Sequence, residues 1–531
     1  MLRSRRAGIR LFPRFVRRRQ RPARGVDSRV PYECKHQRER RRSSAVLILY
    51  LDSNRWSDPH FVTRPVESEA SMKSLGFAVA LLLFPVLAGA RLTPTNIDVS
   101  QRSTNESEEA IAVNPTNPNN IVIVTNVVVP AAGMFAAVSF DGGFTWTTRI
   151  IGDNDNLGAA CCDPSLSFDE FGNLFLVYLF NVGNTVPIAL STDGGLSFNL
   201  LANIAKPATA KTQTSDERRG LFRFVDQPTI VAGKGEVWVV FNGGGPIVAT
   251  GAPVSGLGAV GSFITPEVVG GTNNCTYGDV AIGPNGQVMQ VCTLTESGQG
   301  GGRIYVNVDP DGLGPAGFDQ HSIFVVDTHV GGFDFIPAQP DRSVDAEPGL
   351  AWDRTGGPHS GRVYLVYTFE QKNESDNMDI YVRYSDDDGA TWSAGVRVND
   401  DSTKNSQFLP KISLDPTTGN LAVVWYDCRN DLGNGGPGDT DGIPNTDAQV
   451  WGAFSTDGGQ TFTKNIQISA GTSNSHDAHN NIDYGDYSGL AFYGGIAHPA
   501  WSDNSNSTGN NPDGTLHQLD IYTARVPLLS P

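Results

Sequence analysis

The chain has little charge, few cysteines and no apolar run long enough to cross a membrane. Charged residues are only 18% of 531, while glycine reaches 59 and proline 32. That balance suits many short strands joined by turns. The longest apolar-rich stretch, Leu75 to Leu87, has thirteen residues, short of the roughly 20 that a membrane helix needs. Stable membrane insertion is therefore not expected. Basic charge is scarce over most of the chain: residues 91–531 carry 21 Lys and Arg against 49 Asp and Glu. Such an acidic surface repels phosphates and argues against nucleic acid as a partner. The same stretch has five cysteines, Cys161, Cys162, Cys275, Cys292 and Cys428. An odd number leaves at least one thiol unpaired within a monomer.

Residues 1–90 are of another kind, with 19 Lys and Arg against 7 Asp and Glu. Met72-Lys73, the apolar run and Ala88-Gly89-Ala90 read as a secretory signal peptide over 72–90. A signal peptide opens a protein, so Met72 is the expected start and residues 1–71 an upstream extension. The alternative is a basic arm that binds nucleic acid or membrane. Residues 91–531 then form one domain, secreted to the periplasm or beyond the cell. Disulfides are allowed there. Cys275 pairs naturally with Cys292, and Cys161 and Cys162 bridge either to each other or, one of them, to Cys428.

What the chain does have is a repeat. Ser139–Trp146 reads SFDGGFTW, and it returns as STDGGLSF at 191–198, SDDDGATW at 385–392 and STDGGQTF at 455–462. Each copy follows a short apolar strand. Its glycine supplies positive φ, its Ser and Asp side chains can satisfy the turn's N–H groups, and its closing aromatic adds apolar area. Asp141, Asp193, Asp387 and Asp457 are therefore read as structural. The pattern resembles the Asp-box, or bacterial neuraminidase repeat, of the sialidase-like superfamily. The resemblance implies a β-propeller with the boxes on the face away from the active site.

A second repeat sits upstream of the boxes. Strand, Gly or Asn turn, strand recurs from Glu108, Cys162, Gln227, Tyr277, Glu347, Leu409 and Tyr487. Seven hairpins predict an all-β, seven-bladed propeller of four-stranded blades, with the six blades of true sialidases as the runner-up. The last blade is one strand short. Asn96–Ser100 can supply it beside Leu519–Val526 and close the ring.

The residues that open the inner strands face one mouth of the central funnel. Aligned, they are Glu108, Asp163, Gln227, Tyr277, Glu347, Leu409 and Tyr487, with Asp226, Asp279 and Asp486 beside them. Carboxylates and tyrosines at one mouth suit glycosidase chemistry, or else they cap strand ends and bond loop backbone. Asp163, Glu347, Tyr277 and Tyr487 are the candidate catalytic residues. Arg223, Arg429, Asp226 and Glu108 are candidates for holding substrate. Sialidases grip the substrate carboxylate with three arginines, the first in an Arg-Ile-Pro motif on the first inner strand. Here that strand, EEAIAV, has no arginine, and sialic acid is not the expected substrate.

One acidic loop reads DTDGIPNTD at 439–447. It resembles calcium loops of the thrombospondin-repeat or dockerin kind, and Asp439, Asp441, Asn445 and Asp447 offer oxygens to a structural calcium. The alternative is a solvated acidic loop. His476 and His479 in HDAH make a weaker pair. No cofactor is required by the chemistry considered. Three functions remain open at this stage: a glycoside hydrolase acting as a monomer on glycan or polysaccharide, a non-catalytic binding scaffold, and a polysaccharide lyase. An arginine with a carboxylate pair in the funnel favours the hydrolase. An arginine with His479 and Tyr487 favours the lyase, and an apolar plug favours the scaffold.

Overall fold

The computed structural model describes residues 93–127, 133–180, 183–208, 225–295, 300–331, 334–371 and 375–528. The expectations for 1–71, for 72–90 and for Arg223 lie outside these residues. The regular secondary structure of the described residues is nearly all strand. Seven antiparallel sheets of at least four strands follow one another, three of them with a short fifth strand, and all but the last built from consecutive strands. Blade 1, for example, runs through Glu106–Val113, Ile121–Val127, Met134–Ser139 and Thr147–Ile151. The six-bladed alternative is excluded.

Period-2 alternation explains why the second strands are continuous apolar runs. Both faces of each are buried between neighbouring blades. In blade 1, Val122 and Val124 pack with Leu174 and Leu176 of blade 2. Their neighbours Ile121 and Ile123 pack with Ala500 and Ile521 of blade 7. The same division repeats round the ring, as where Tyr364 and Val366 of blade 5 meet Val423 and Trp425 of blade 6. Seven such clusters fill seven interfaces between blades. An open row of seven blades would have six, so the ring is closed.

Closure uses the expected segment. Asn96–Asp98 forms the fourth strand of blade 7 against Asp520–Ala524, with Asn96 opposite Ala524 and Asp98 opposite Tyr522. Val99 N–H extends the pairing by donating to Ile521 O at 2.7 Å.

Strand direction alternates within a blade, so inner strands begin at one end of the ring and third strands finish at the other. The boxes sit at that second end. In the first box Asp141 Oδ1 accepts from the N–H groups of Phe144 and Thr145 at 3.0 and 2.9 Å, and Ser139 Oγ accepts from Gly143 N–H at 2.9 Å. Asp193, Asp387 and Asp457 repeat the arrangement with Ser197, Thr391 and Thr461. Cys161 bridges to Cys162 and Cys275 to Cys292, while Cys428 is buried and free. Between blades 4 and 5 a small hairpin, Asp334–Ile336 with Gln339–Val344, has no counterpart among the other described residues.

Candidate functional site at the funnel mouth

Five of the seven inner strands meet the mouth through an irregularity, while those of blades 5 and 7 pair without a slip. The ladder to the second strand slips between Ser107 and Ala110, Cys162 and Ser165, Asp226 and Thr229, Cys275 and Gly278, and Phe408 and Lys411. These are β-bulges, which re-aim a side chain at a sheet margin. At the repeated position Glu108, Asp163, Gln227, Glu347 and Leu409 have φ of 62°, 53°, 43°, 44° and 49°. Left-handed backbone costs a non-glycine residue roughly 1–2 kcal/mol, yet the conformation recurs in five blades. The aligned position is thus one structural device used around the ring.

Three of these residues join one network. Asn126, at the far end of the blade 1 second strand, donates its amide to Glu108 Oε2 and accepts the Asp163 N–H at 2.9 Å. Asp163 Oδ2 accepts the Gln227 N–H at 3.1 Å. Glu108 Oε1 accepts the Asp486 N–H at 3.1 Å, and Gln227 Nε2 donates to Asp486 Oδ2 at 3.3 Å. The cation of the network is Arg342, from the unmatched hairpin. Its Nε donates to Asp486 Oδ1 at 2.6 Å and its Nη2 to Oδ2. Asp483 braces that hairpin by accepting the N–H groups of Asp341 and Arg342, both at 2.8 Å. Asp345 accepts the Glu347 N–H at 2.8 Å.

Burial raises the pKa of several of these carboxyl groups. Asp163 is raised well above the ordinary carboxylate range, first by desolvation and then by the charges of Asp226 and Asp486. Glu108 is raised by burial and by Asp163 and Asp486. Asp226 is raised less, again mainly by burial. Burial pushes Asp345 up to about 7. Arg342 is held firmly charged, Asp486 being the largest cause. Neighbouring carboxyls whose surroundings set their pKa values apart can divide acid and base roles.

Below the mouth lies a cavity of about 260 Å³. Its lining includes Ser165, Thr229, Asp279, Lys411 and Tyr487, with Ile111, Ile230 and Leu490. The funnel is polar at its mouth, and the cavity beneath it is lined by polar and apolar side chains together. Tyr487 Oη is 3.5 Å from Pro164 O.

The structure brings together Glu108, Asp163, Asp226 and Gln227, places Tyr487 on the cavity, and keeps Glu347 buried in left-handed backbone. The side chain of Tyr277 lies outside the described residues. Arg429 is not at this network. It bonds Asp427 Oδ2 through Nε and Nη2 at 2.9 and 2.7 Å and Asp400 Oδ1 at 2.8 Å, with its guanidinium 4.2 Å from the Trp451 ring centroid. That cation is spent on holding the loops beside blade 6. Arg342, Asn126 and Asp345 take up the mouth instead. The sign in the sequence was the stretch 334–344, which matches no part of the repeat.

The acidic loop gathers a different set from the one expected. Carboxylate oxygens of Asp431, Asp439 and Asp447 lie within 4.8 Å of one another. Asn445 Oδ1 instead accepts the Ser406 N–H at 2.7 Å, and Asp441 Oδ1 accepts the Ile443 N–H at 2.7 Å. His476 Nδ1 lies 3.9 Å from Asp341 Oδ2, on the outside of the unmatched hairpin.

No family model matches the chain, and no curated protein does. Solved structures similar to it include a Dyadobacter fermentans protein of unknown function, with 10% identity, 82% of this chain and 99% of that one covered and a TM-score of 0.44. A phage phi92 endosialidase has 11% identity, coverage of 83% and 70%, and a TM-score of 0.44. A Penicillium chrysogenum alpha-L-arabinanase has 17% identity, coverage of 64% and 94%, and a TM-score of 0.38. These likenesses say nothing of this chain's chemistry, which rests on its own residues.

Proposed function

We propose that the chain is an exported propeller that acts on glycans, as a glycoside hydrolase whose site is the funnel mouth. The observation that carries the reading is the group of carboxyls, Asp163 and Glu108 buried and Asp226 and Asp486 partly so, assembled with Arg342 above a cavity. Asp163, raised the more strongly, is the proton donor to the leaving oxygen of the glycosidic bond. Asp226 keeps its charge more readily and is the partner carboxylate. Two-carboxyl chemistry of this kind serves glycoside hydrolysis. Tyr487, on the cavity wall beside Pro164, contributes its hydroxyl, and Glu347 is the further carboxyl of the mouth. Arm-in-arm pairing of Arg342 with carboxylates, in place of an arginine with His479, favours hydrolysis over lyase chemistry. Two disulfides fit an oxidising compartment, which supports export.

The test is a panel of polysaccharides incubated with the purified chain and read both for new reducing ends and for unsaturated products. Reducing ends without unsaturation, lost in Asp163→Asn with the fold intact, are expected. Unsaturated products would make the chain a lyase. Binding without any cleavage would make it a scaffold.

A further inference from the structure

We propose that the sugar taken at this mouth is uncharged, and that glycans bearing a carboxylate or sulfate on the bound residue are turned away. The inference rests on the glycan reading above and narrows it.

The mouth is rich in acids and short of free positive charge. Glu108, Asp163, Asp226, Asp345 and Asp486 surround one guanidinium among the described residues, that of Arg342. Arg342 is already engaged. Its Nε and Nη2 take both oxygens of Asp486 in a bidentate pair, the strongest geometry open to it. An anionic ligand that took this edge of the guanidinium would displace Asp486, and the Nη1 edge left over belongs to a charge that Asp486 already balances. That carboxylate is 16% exposed, so losing its partner would leave a largely buried charge unpaired, a costly outcome.

Backbone donors, the other means of holding an anion, are also in use. The N–H groups of Asp486, Gln227 and Glu347 go to Glu108, Asp163 and Asp345. Those of Asp341 and Arg342 go to Asp483. Further along the funnel the lining holds Lys411 with two acidic residues, Glu109 and Asp279. What the mouth offers an arriving ligand is carboxyl oxygens and the Tyr487 hydroxyl. Hydroxyl groups of a neutral sugar can donate to such oxygens and accept from protonated carboxyls and phenol. A carboxylate can only accept, and it meets repulsion from every ionised acid around it.

The experiment uses the purified full chain on an array of neutral, uronate-bearing, sialylated and sulfated oligosaccharides, at low and at moderate salt. Asp486→Asn is run in parallel, with its melt recorded. Wild type is expected to bind neutral glycans, with little dependence on salt. Asp486→Asn frees the Arg342 charge and is expected to gain about tenfold for uronate-bearing members. Preference of wild type for acidic glycans would overturn this inference and leave the glycan reading standing. Failure of folded Asp486→Asn to gain any acidic ligand would overturn it as well. Absence of binding to any glycan would sink the glycan reading itself, and this inference with it. Should the variant not fold, the wild-type preference alone decides.

Discussion

Asn96 and Ala524 face each other across an antiparallel pair, although 428 positions separate them in the numbering. This is the seam of the ring. Asn96 also fastens it to blade 6, donating to Ile468 O at 2.8 Å and accepting the Ala470 N–H at 2.5 Å. Deleting residues up to Ser100 removes these bonds, the buried Val99 and the cover over the last sheet edge. The expected loss is about 3 kcal/mol or more, with exposure of an edge that invites association. Denaturant unfolding and light scattering of the truncated chain check it. An unchanged midpoint would show that the seam is not needed.

The seam also sets a pH dependence. Glu106, bonded to Arg102 at 3.0 Å and Thr104 at 2.7 Å, is pushed up to about 7 by burial. Asp98 and Asp520 beside it are raised too, chiefly by burial, as is Asp345 at the mouth, to about 7. A carboxyl group whose folded pKa lies above its unfolded value of about 4 binds its proton more tightly when folded. Its stabilisation is present below about pH 4 and is lost as pH rises through about 7. Asp193, Asp387 and Asp457 of the boxes are lowered and act the other way at acid pH, but they are largely exposed and contribute little. Tm is therefore expected to rise as pH falls from 8 to 5, and Glu106→Gln to flatten part of that slope. A Tm that climbs from pH 5 to 8 would contradict the assignment.

The box tryptophans are half-buried. Trp392 donates Nε1–H to Gly389 O at 3.0 Å and packs against the core between blades 4 and 5. Trp392→Ala should cost about 1–2 kcal/mol, less than a fully buried indole, and leave glycan binding at the opposite face unchanged. Loss of binding with an unaltered melt would reverse the structural reading of the boxes.

Calcium is proposed to act through Asp431, Asp439 and Asp447, whose oxygens converge. Burial raises Asp447 to about 6, and a cation would relieve the crowding of these charges. Calcium is expected to raise Tm by mass action on the folded state, and Asp431→Asn to abolish the response. Coincident melts in calcium and in chelator would return the loop to a purely hydrogen-bonded role.

At the mouth, Tyr487→Phe removes one hydroxyl from a residue on the cavity wall. Folding should be preserved and turnover of any glycan found should fall by about 10²-fold or more. Full activity would place the chemistry away from this wall.

The blade count, the boxes and the seam were legible because they rest on local pattern. Period-2 apolar strands, Ser-x-Asp-x-Gly turns and a missing fourth strand are all written within a few residues, and one ring accommodates seven such units. The aligned mouth position was legible for the same reason, since it recurs at a fixed place in each repeat. Which cation reaches that mouth was not. Arg223, Arg303, Arg342 and Arg429 look alike in sequence, and only folding sets Arg342 against Asp486, 144 residues away. The same holds for the acidic loop, where folding sets Asp431 beside Asp439 and Asp447 while Asn445 turns to the Ser406 N–H. Repetition and periodicity along the chain determined the architecture. Partner choice among like charges depends on distances through space between unrelated segments, and the tertiary structure alone decided it.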